Sequence, residues 1–213
     1  MTSIDTYNNL IALFEALDGL RNLADLNSFI LQIGLDKEIT QFHEKYPPLK
    51  FTIKKANIAC LKKEGILDDR NRLDIDNFVG TPLERLLVAA LWKNGDINKI
   101  QHIVDGILQA DGFRTNHSLI FKQFGQSLTN ILEPIVDQHV LRAFEIKSLK
   151  IYSEDAVNSL RKKSIYKISD KVHLDAYREW FKKILEQISP GEQAEFKNRL
   201  DKVLFIKGKI AKI

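Results

Sequence analysis

A chain of 213 residues with 44% hydrophobic and 28% charged side chains holds enough apolar material for one large domain or two compact lobes, and is too apolar for a disordered chain. Its longest clean apolar run, Leu86–Trp92, is seven residues against the roughly 20 needed to cross a bilayer, and its start, MTSIDTYNN, has no basic stretch leading into an apolar one; a soluble cytoplasmic protein without a membrane partner is the expectation. Charge is uneven: residues 142–213 hold 17 Lys+Arg and 10 Asp+Glu, while 1–141 hold 15 and 18, so balances of +7 and −3 make up the net +4.

The dominant period is helical. Ile4, Tyr7, Ile11, Phe14 and Leu17 recur at three- and four-residue steps and mark one helical stripe. Leu23, Leu26, Phe29, Ile30 and Ile33 make a second, closed by Gly34. Pro47-Pro48 interrupts the chain, because the residue before a proline is pushed out of the α region. Thr52 is placed to cap a helix carrying Ile53, Ala56, Cys60 and Leu61, which Gly65 ends. The stretch Asp68–Asn77 is polar and has no period, as expected of a connector between lobes.

The clearest helix start is Thr81-Pro82-Leu83-Glu84, where a Thr cap, a Pro at the first helical position and a Glu at the third form a capping box. The helix that follows, LERLLVAALWK, is apolar on most sides and is expected to be the most buried. Asn94-Gly95 stops it, and Asp96 is placed to cap a helix through Ile100, Ile103, Val104 and Ile107. Asp111-Gly112 marks a turn; Leu119, Ile120, Phe121 and Phe124 lie on the next helix, with Phe124-Gly125 at its end. Glu133-Pro134 forces an extended entry to Val136-Asp137, and Asp137 is positioned to cap HVLRAF. Ser153, residues 171–188 and Ser189-Pro190-x-Glu192 mark three more helices, the last packing back on the central ones. Alternation over Lys50–Lys54 is compatible with one strand, which alone cannot form a sheet. The fold class is all-α with nine or ten helices, either a single domain over 1–213 or two lobes, 1–67 and 81–213.

Several chemistries find no support. The histidines at 43, 102, 117, 139 and 173 show no H-x-x-x-H pair and no Cys cluster, so no metal site or cofactor is expected. Counting a calcium loop from Asp74 puts Phe78 at its fifth position and Arg85 at its twelfth. No G-x-x-x-x-G-K-S/T loop exists. Cys60 cannot make an internal disulfide and reads as a small buried hydrophobe on an apolar stripe.

The segment Asp111–Phe144 carries a distinct order of features: a turn at Gly112, Arg114-Thr115, a helix reaching Phe124-Gly125, an extended EPIV, and Val136-Asp137-Gln138-His139 at a helix start. It resembles the helix-hairpin-helix DNA glycosylase superfamily of base-excision repair enzymes, over about residues 82–145. The resemblance implies an all-α, glycosylase-like fold, duplex DNA containing a lesion as the partner, and Asp137 as the catalytic carboxylate at the mouth of a pocket for a flipped nucleotide. It implies a DNA-facing set of Gly112, Arg114, Thr115, Lys122, His139 and Arg142, with Gly112 and Arg114 at backbone phosphate and His139 supporting the turn. Arg114 stands where the family places its Schiff-base lysine, and a guanidinium is no amine nucleophile at neutral pH. A monofunctional glycosylase without lyase activity is the implied enzyme.

Other readings of the same residues stay open. Asp137 is also a plain N-cap, Arg142 has Asp137 and Glu145 as candidate partners, and His139 is also a satisfied half-buried side chain. Trp92 and Trp180 read as packing residues, and the lysines of the last third as solvated helix faces. A non-catalytic helical module that meets nucleic acid or an acidic protein through its basic C-terminal third is the alternative function.

Overall fold

The computed structural model describes residues 1–49, 51–75, 78–110, 112 and 118–213. The chain folds into helices, and among the described residues no strand forms beyond an isolated bridge between Leu67 and Leu73. It divides into two compact units, Met1–Lys50 with Pro134–Ile213, and Phe51–Glu133. The polar connector at 68–80 therefore lies inside the second unit, and lobes at 1–67 and 81–213 are not how the chain divides.

The first unit comprises α1 (Ser3–Asp18), α2 (Leu23–Gln32), α3 (Asp36–Lys45), α8 (Gln138–Lys147), α9 (Glu154–Lys162), α10 (Lys171–Leu185) and α11 (Gln193–Ile210). Its axis is α8, which α1, α9, α10 and α11 all contact. Every residue from Val140 to Ile146 is buried, so α8 is enclosed on all sides. Phe14, Phe144, Tyr177, Trp180 and Phe181 stack in edge-on and tilted pairs between α1, α8 and α10, with centroids 4.9–6.3 Å apart. Trp180 is thus a packing residue, and its indole N–H donates to Asp18 Oδ1 at 2.7 Å. The closest crossing joins α8 to α11 at Gly208, where a Cβ would lie 1.9 Å from the His139 carbonyl oxygen.

The second unit comprises α4 (Lys55–Lys63), α5 (Pro82–Lys93), α6 (Lys99–Leu108) and α7 (Leu119–Ser127). Ile58, Leu67, Val104, Ile107 and Leu128 form its core, flanked by Ile53, Leu61, Ile103 and Phe124. Helices α6 and α7 touch backbone to backbone: a Cβ on Gly106 would come 2.0 Å from the Lys122 carbonyl oxygen, and one on Gly125 would come 2.0 Å from that of Ile103. Gly125 therefore sits inside α7 at a helix crossing and does not end the helix.

Two expectations are reversed here. No residue of α5 is buried, and Leu83, Leu86, Leu87 and Trp92 are each more than half exposed, at 64, 66, 55 and 70%. Cys60 is exposed as well, and its thiol donates to Glu64 Oε1 at 3.1 Å, which raises the thiol's pKa. Both cases have one cause. Composition tells which helix could be buried, but only a facing surface buries it, and α6 and α7 spend their closest faces on each other.

The caps follow local chemistry. Thr81 accepts from Glu84 N while Glu84 accepts from Thr81 N, and Ser153 accepts from Ala156 N. Thr52 is not the cap of α4; Asn57 there reaches back to accept from Lys54 N at 2.8 Å. Asp96 stands short of α6 and pairs with Lys99.

Candidate functional site at the start of α8

The extended entry Pro134–Val136 is pinned by buried Val136 and delivers Asp137 to the N-terminus of α8 with φ of −129°. Asp137 Oδ1 accepts from His139 N at 2.7 Å and from Val140 N at 2.9 Å. Both cap bonds use the same oxygen, and Oδ2 makes no hydrogen bond to any described residue. The residue is half-buried. Burial pushes its carboxyl above the ordinary carboxylate value, against the pull of the two backbone N–H groups and of the Arg142 charge.

His139 sits half-buried beside this cap, its ring edge-on to Phe205 with centroids 5.0 Å apart. Arg142 Nη1 lies 2.8 Å from His139 Nδ1. A guanidinium has no acceptor, so Nδ1 must accept, which leaves the ring neutral with its proton on Nε2. Burial lowers the His139 pKa; Asp137 opposes this, and the charges of Arg142, Lys212 and Lys209 reinforce it. Two of those cations, Lys209 and Lys212, are exposed, so the surface near the α8 start is positive.

Arg142 itself has no exposed surface. Its Nη1 also donates to Gly208 O at 3.1 Å and its Nη2 to Lys163 O at 2.6 Å, so it ties α8 to α11 and to the end of α9. It pairs with neither Asp137 nor Glu145. Glu145, one turn further along, accepts from Lys163 Nζ at 2.8 Å and from the Tyr166 hydroxyl at 3.1 Å. Lys163 also reaches Asp170 at 3.0 Å. Burial, with Glu145 adding to it, pushes the Tyr166 hydroxyl pKa far up. On the facing helix, Lys197 pairs with buried Asp201 at 3.0 Å, and Asp201 Oδ2 accepts from Ile135 N at 3.4 Å. Burial raises the Asp201 pKa, and Asp137 adds to the rise.

The remaining candidates belong to the second unit. Gly112 adopts φ of +73°, the left-handed region that its turn requires. Lys122 Nζ donates to Gly112 O at 2.6 Å and to Ala110 O, so it clasps the chain leaving α6. Arg114 and Thr115 lie outside the described residues. Asp137, His139 and Arg142 thus come together in one unit, and Gly112 and Lys122 in the other.

The sequence reading missed Gly208, Lys163 and Asp201 as members of this cluster. A glycine inside an 18-residue helix was the one available signal. The basic surplus of the last third is also less available than its count suggests. Arg142, Arg161, Lys197 and Lys202 are buried, and Lys171, Lys182, Lys183 and Arg199 pair with acids four residues away. Among the described residues no three His, Cys, Asp or Glu side chains group to hold a metal ion, and no helix is long and apolar enough to cross a membrane. Neither family models, nor curated proteins, nor solved structures give any match to this chain.

Proposed function

We propose that the chain is a DNA-binding protein of glycosylase-like design, a monofunctional enzyme that hydrolyses the N-glycosidic bond of a damaged base. The observation that carries this reading is the division of labour within one carboxylate. Asp137 Oδ1 is fixed by the two N–H groups that begin α8, while Oδ2 makes no hydrogen bond to any described residue and lies by a neutral histidine on which the exposed Lys209 and Lys212 also act.

A carboxylate held this way suits a reaction in which positive charge develops on a sugar. As the C1′–N bond breaks, the electron pair leaves with the base, which takes a proton from solvent. Oδ2 stabilises the cationic sugar and accepts the proton of the water that adds to C1′. In this reading the exposed Lys209 and Lys212 meet backbone phosphates, independent of sequence. Arg142 takes a different part from the one the resemblance implied: it braces His139 and the α8–α11 crossing from inside.

The test is Asp137→Asn. Asparagine is as good an N-cap as aspartate, so the helix start survives while the anionic oxygen is lost. The expected outcome is retained binding to an abasic-analogue duplex, in preference to matched duplex and single strand, with base release lowered at least 100-fold. Base release unaffected by the substitution overturns the catalytic role. Absence of binding to all three DNAs at low salt overturns the DNA reading altogether.

A further inference from the structure

The first unit also holds a groove that shares no lining residue with the Asp137 cap and is independent of the reading above. Helices α1, α2 and α11 leave a groove of about 350 Å³ between them, within the size range of small-molecule sites, about 300–1,000 Å³. Its walls are Leu10, Leu13, Phe29, Ile33 and Ile210. Of the side chains that line it, Lys207 alone is charged.

The polar groups along this groove are unequally committed. The Thr6 hydroxyl donates to Thr2 O at 2.8 Å and is spent on the first turn of α1. Lys207 is half-buried, and its ammonium makes no hydrogen bond or ion pair with any described residue. Burial lowers its pKa while Glu38 nearby raises it. Its place in the last turn of α11 favours the charged form, because helix C-termini carry partial negative charge. A half-buried cation at an apolar groove with no hydrogen-bonded partner among the described residues is costly, and the Glu38 charge offsets only part of that cost. A ligand with an anionic end and an aliphatic body removes both costs at once.

We infer that this groove binds an aliphatic monocarboxylate of medium chain length, its tail along Leu10, Leu13, Phe29 and Ile33 and its carboxylate on Lys207. A neutral or cationic amphiphile with the same tail covers the walls but leaves the ammonium unpaired. A charge-assisted hydrogen bond then separates the ligands by roughly tenfold.

The experiment is calorimetric titration of the full chain with dodecanoate, dodecanol and dodecyltrimethylammonium, each below its aggregation threshold. The expected result is one saturable dodecanoate site, with the other two at least about tenfold weaker. Lys207→Gln brings dodecanoate down to the level of dodecanol and leaves dodecanol unchanged. Ala12→Phe, at the exposed rim, weakens all three by filling the groove. Equal affinity for the three amphiphiles in the unaltered protein, binding of many molecules without saturation, or no binding overturns the inference without reference to any variant. Full dodecanoate binding by Lys207→Gln also overturns it, since the carboxylate then sits elsewhere.

Discussion

Gly208 of α11 rests against the carbonyl oxygen of His139 on α8, so close that a Cβ would fall 1.9 Å from that oxygen and 2.5 Å from its carbon. The obstacle is backbone on both sides, which no rotamer change relieves. The same glycine's carbonyl accepts from buried Arg142, so one position sets both the spacing of the crossing and its polar bridge.

Gly208→Ala is therefore expected to cost more than the small helix-propensity gain that alanine brings. Forced overpacking of this kind costs about 1–3 kcal/mol, read as a fall in the urea midpoint. Gly191→Ala is the control: nothing lies within 4 Å of its would-be Cβ and its φ is ordinary, so its effect should stay within about 0.5 kcal/mol. Equal midpoints for the two variants would show that the crossing tolerates a Cβ.

Arg142→Met keeps much of the side-chain volume and removes every donor. The acceptors left behind are His139 Nδ1, Gly208 O and Lys163 O, all engaged by one guanidinium. Stranding buried acceptors costs about 1–3 kcal/mol each at most, and breaking a buried charged network about 3–5 kcal/mol in total. Arg142→Met should fall in that upper range by chemical denaturation. A loss under about 1 kcal/mol would show that the three acceptors do not depend on Arg142.

What the sequence discloses of this molecule divides by distance. Thr81 with Glu84, Asp137 with Val140, and Ser153 with Ala156 each act within a single turn, so a short window of sequence contains the whole interaction. Burial of α8 depends on partners far along the chain. Arg142 and Glu145 make HVLRAFEIK read as half-polar, yet Lys163, Tyr166 and Gly208 supply hydrogen-bond partners to both side chains in the interior. Conversely LERLLVAALWK reads as core and finds no face to cover it. Gly125 shows the same limit: a glycine after a phenylalanine looks like a stop, and only the presence of Gly106 on the neighbouring helix makes it a contact. The candidate carboxylate was legible because its role begins as a cap. The lysines that act on His139 and the buried Asp201 were not, since Asp201, Lys209 and Lys212 each lie more than 60 residues from Asp137 in the chain.

Stability should depend on the protonation of His139. Its pKa is lowered in the folded protein, chiefly by burial, from an ordinary value of 6.5. A histidine depressed in the native state contributes stability that is intact above 6.5 and is lost as pH falls through the folded value. The geometry agrees: a proton on Nδ1 would displace the Arg142 hydrogen bond and set two cations 2.8 Å apart. The urea midpoint should therefore decline from pH 7 toward pH 5, and His139→Gln should flatten that decline. Asp137 and Asp201 act in the opposite sense, because carboxyls raised by burial favour the folded state at low pH and lose that contribution as pH climbs from about 3.8. A midpoint that rises toward pH 5 in the unaltered protein would place those carboxylates, and not His139, in control.

The two helices whose apparent and actual burial are exchanged give the sharpest comparison. Leu86 on α5 is 66% exposed, and Leu141 on α8 has no exposed surface. Leu141→Ala removes a side chain packed on every side and should cost about 2–5 kcal/mol, through lost transfer energy and the cavity left behind. Leu86→Glu replaces an exposed leucine with a good helix former on a solvated face, so its cost should stay within about 0.5 kcal/mol. It should also reduce binding of an apolar dye such as anilinonaphthalene sulfonate, since Leu83, Leu86 and Leu87 form a contiguous stripe along one side of α5. A Leu86→Glu loss as large as that of Leu141→Ala would mean that α5 is covered in solution. The ordering expected from apolarity alone would then be restored. The small loss expected here would instead leave α5 as a solvated helix whose apolarity contributes nothing to holding the second unit together.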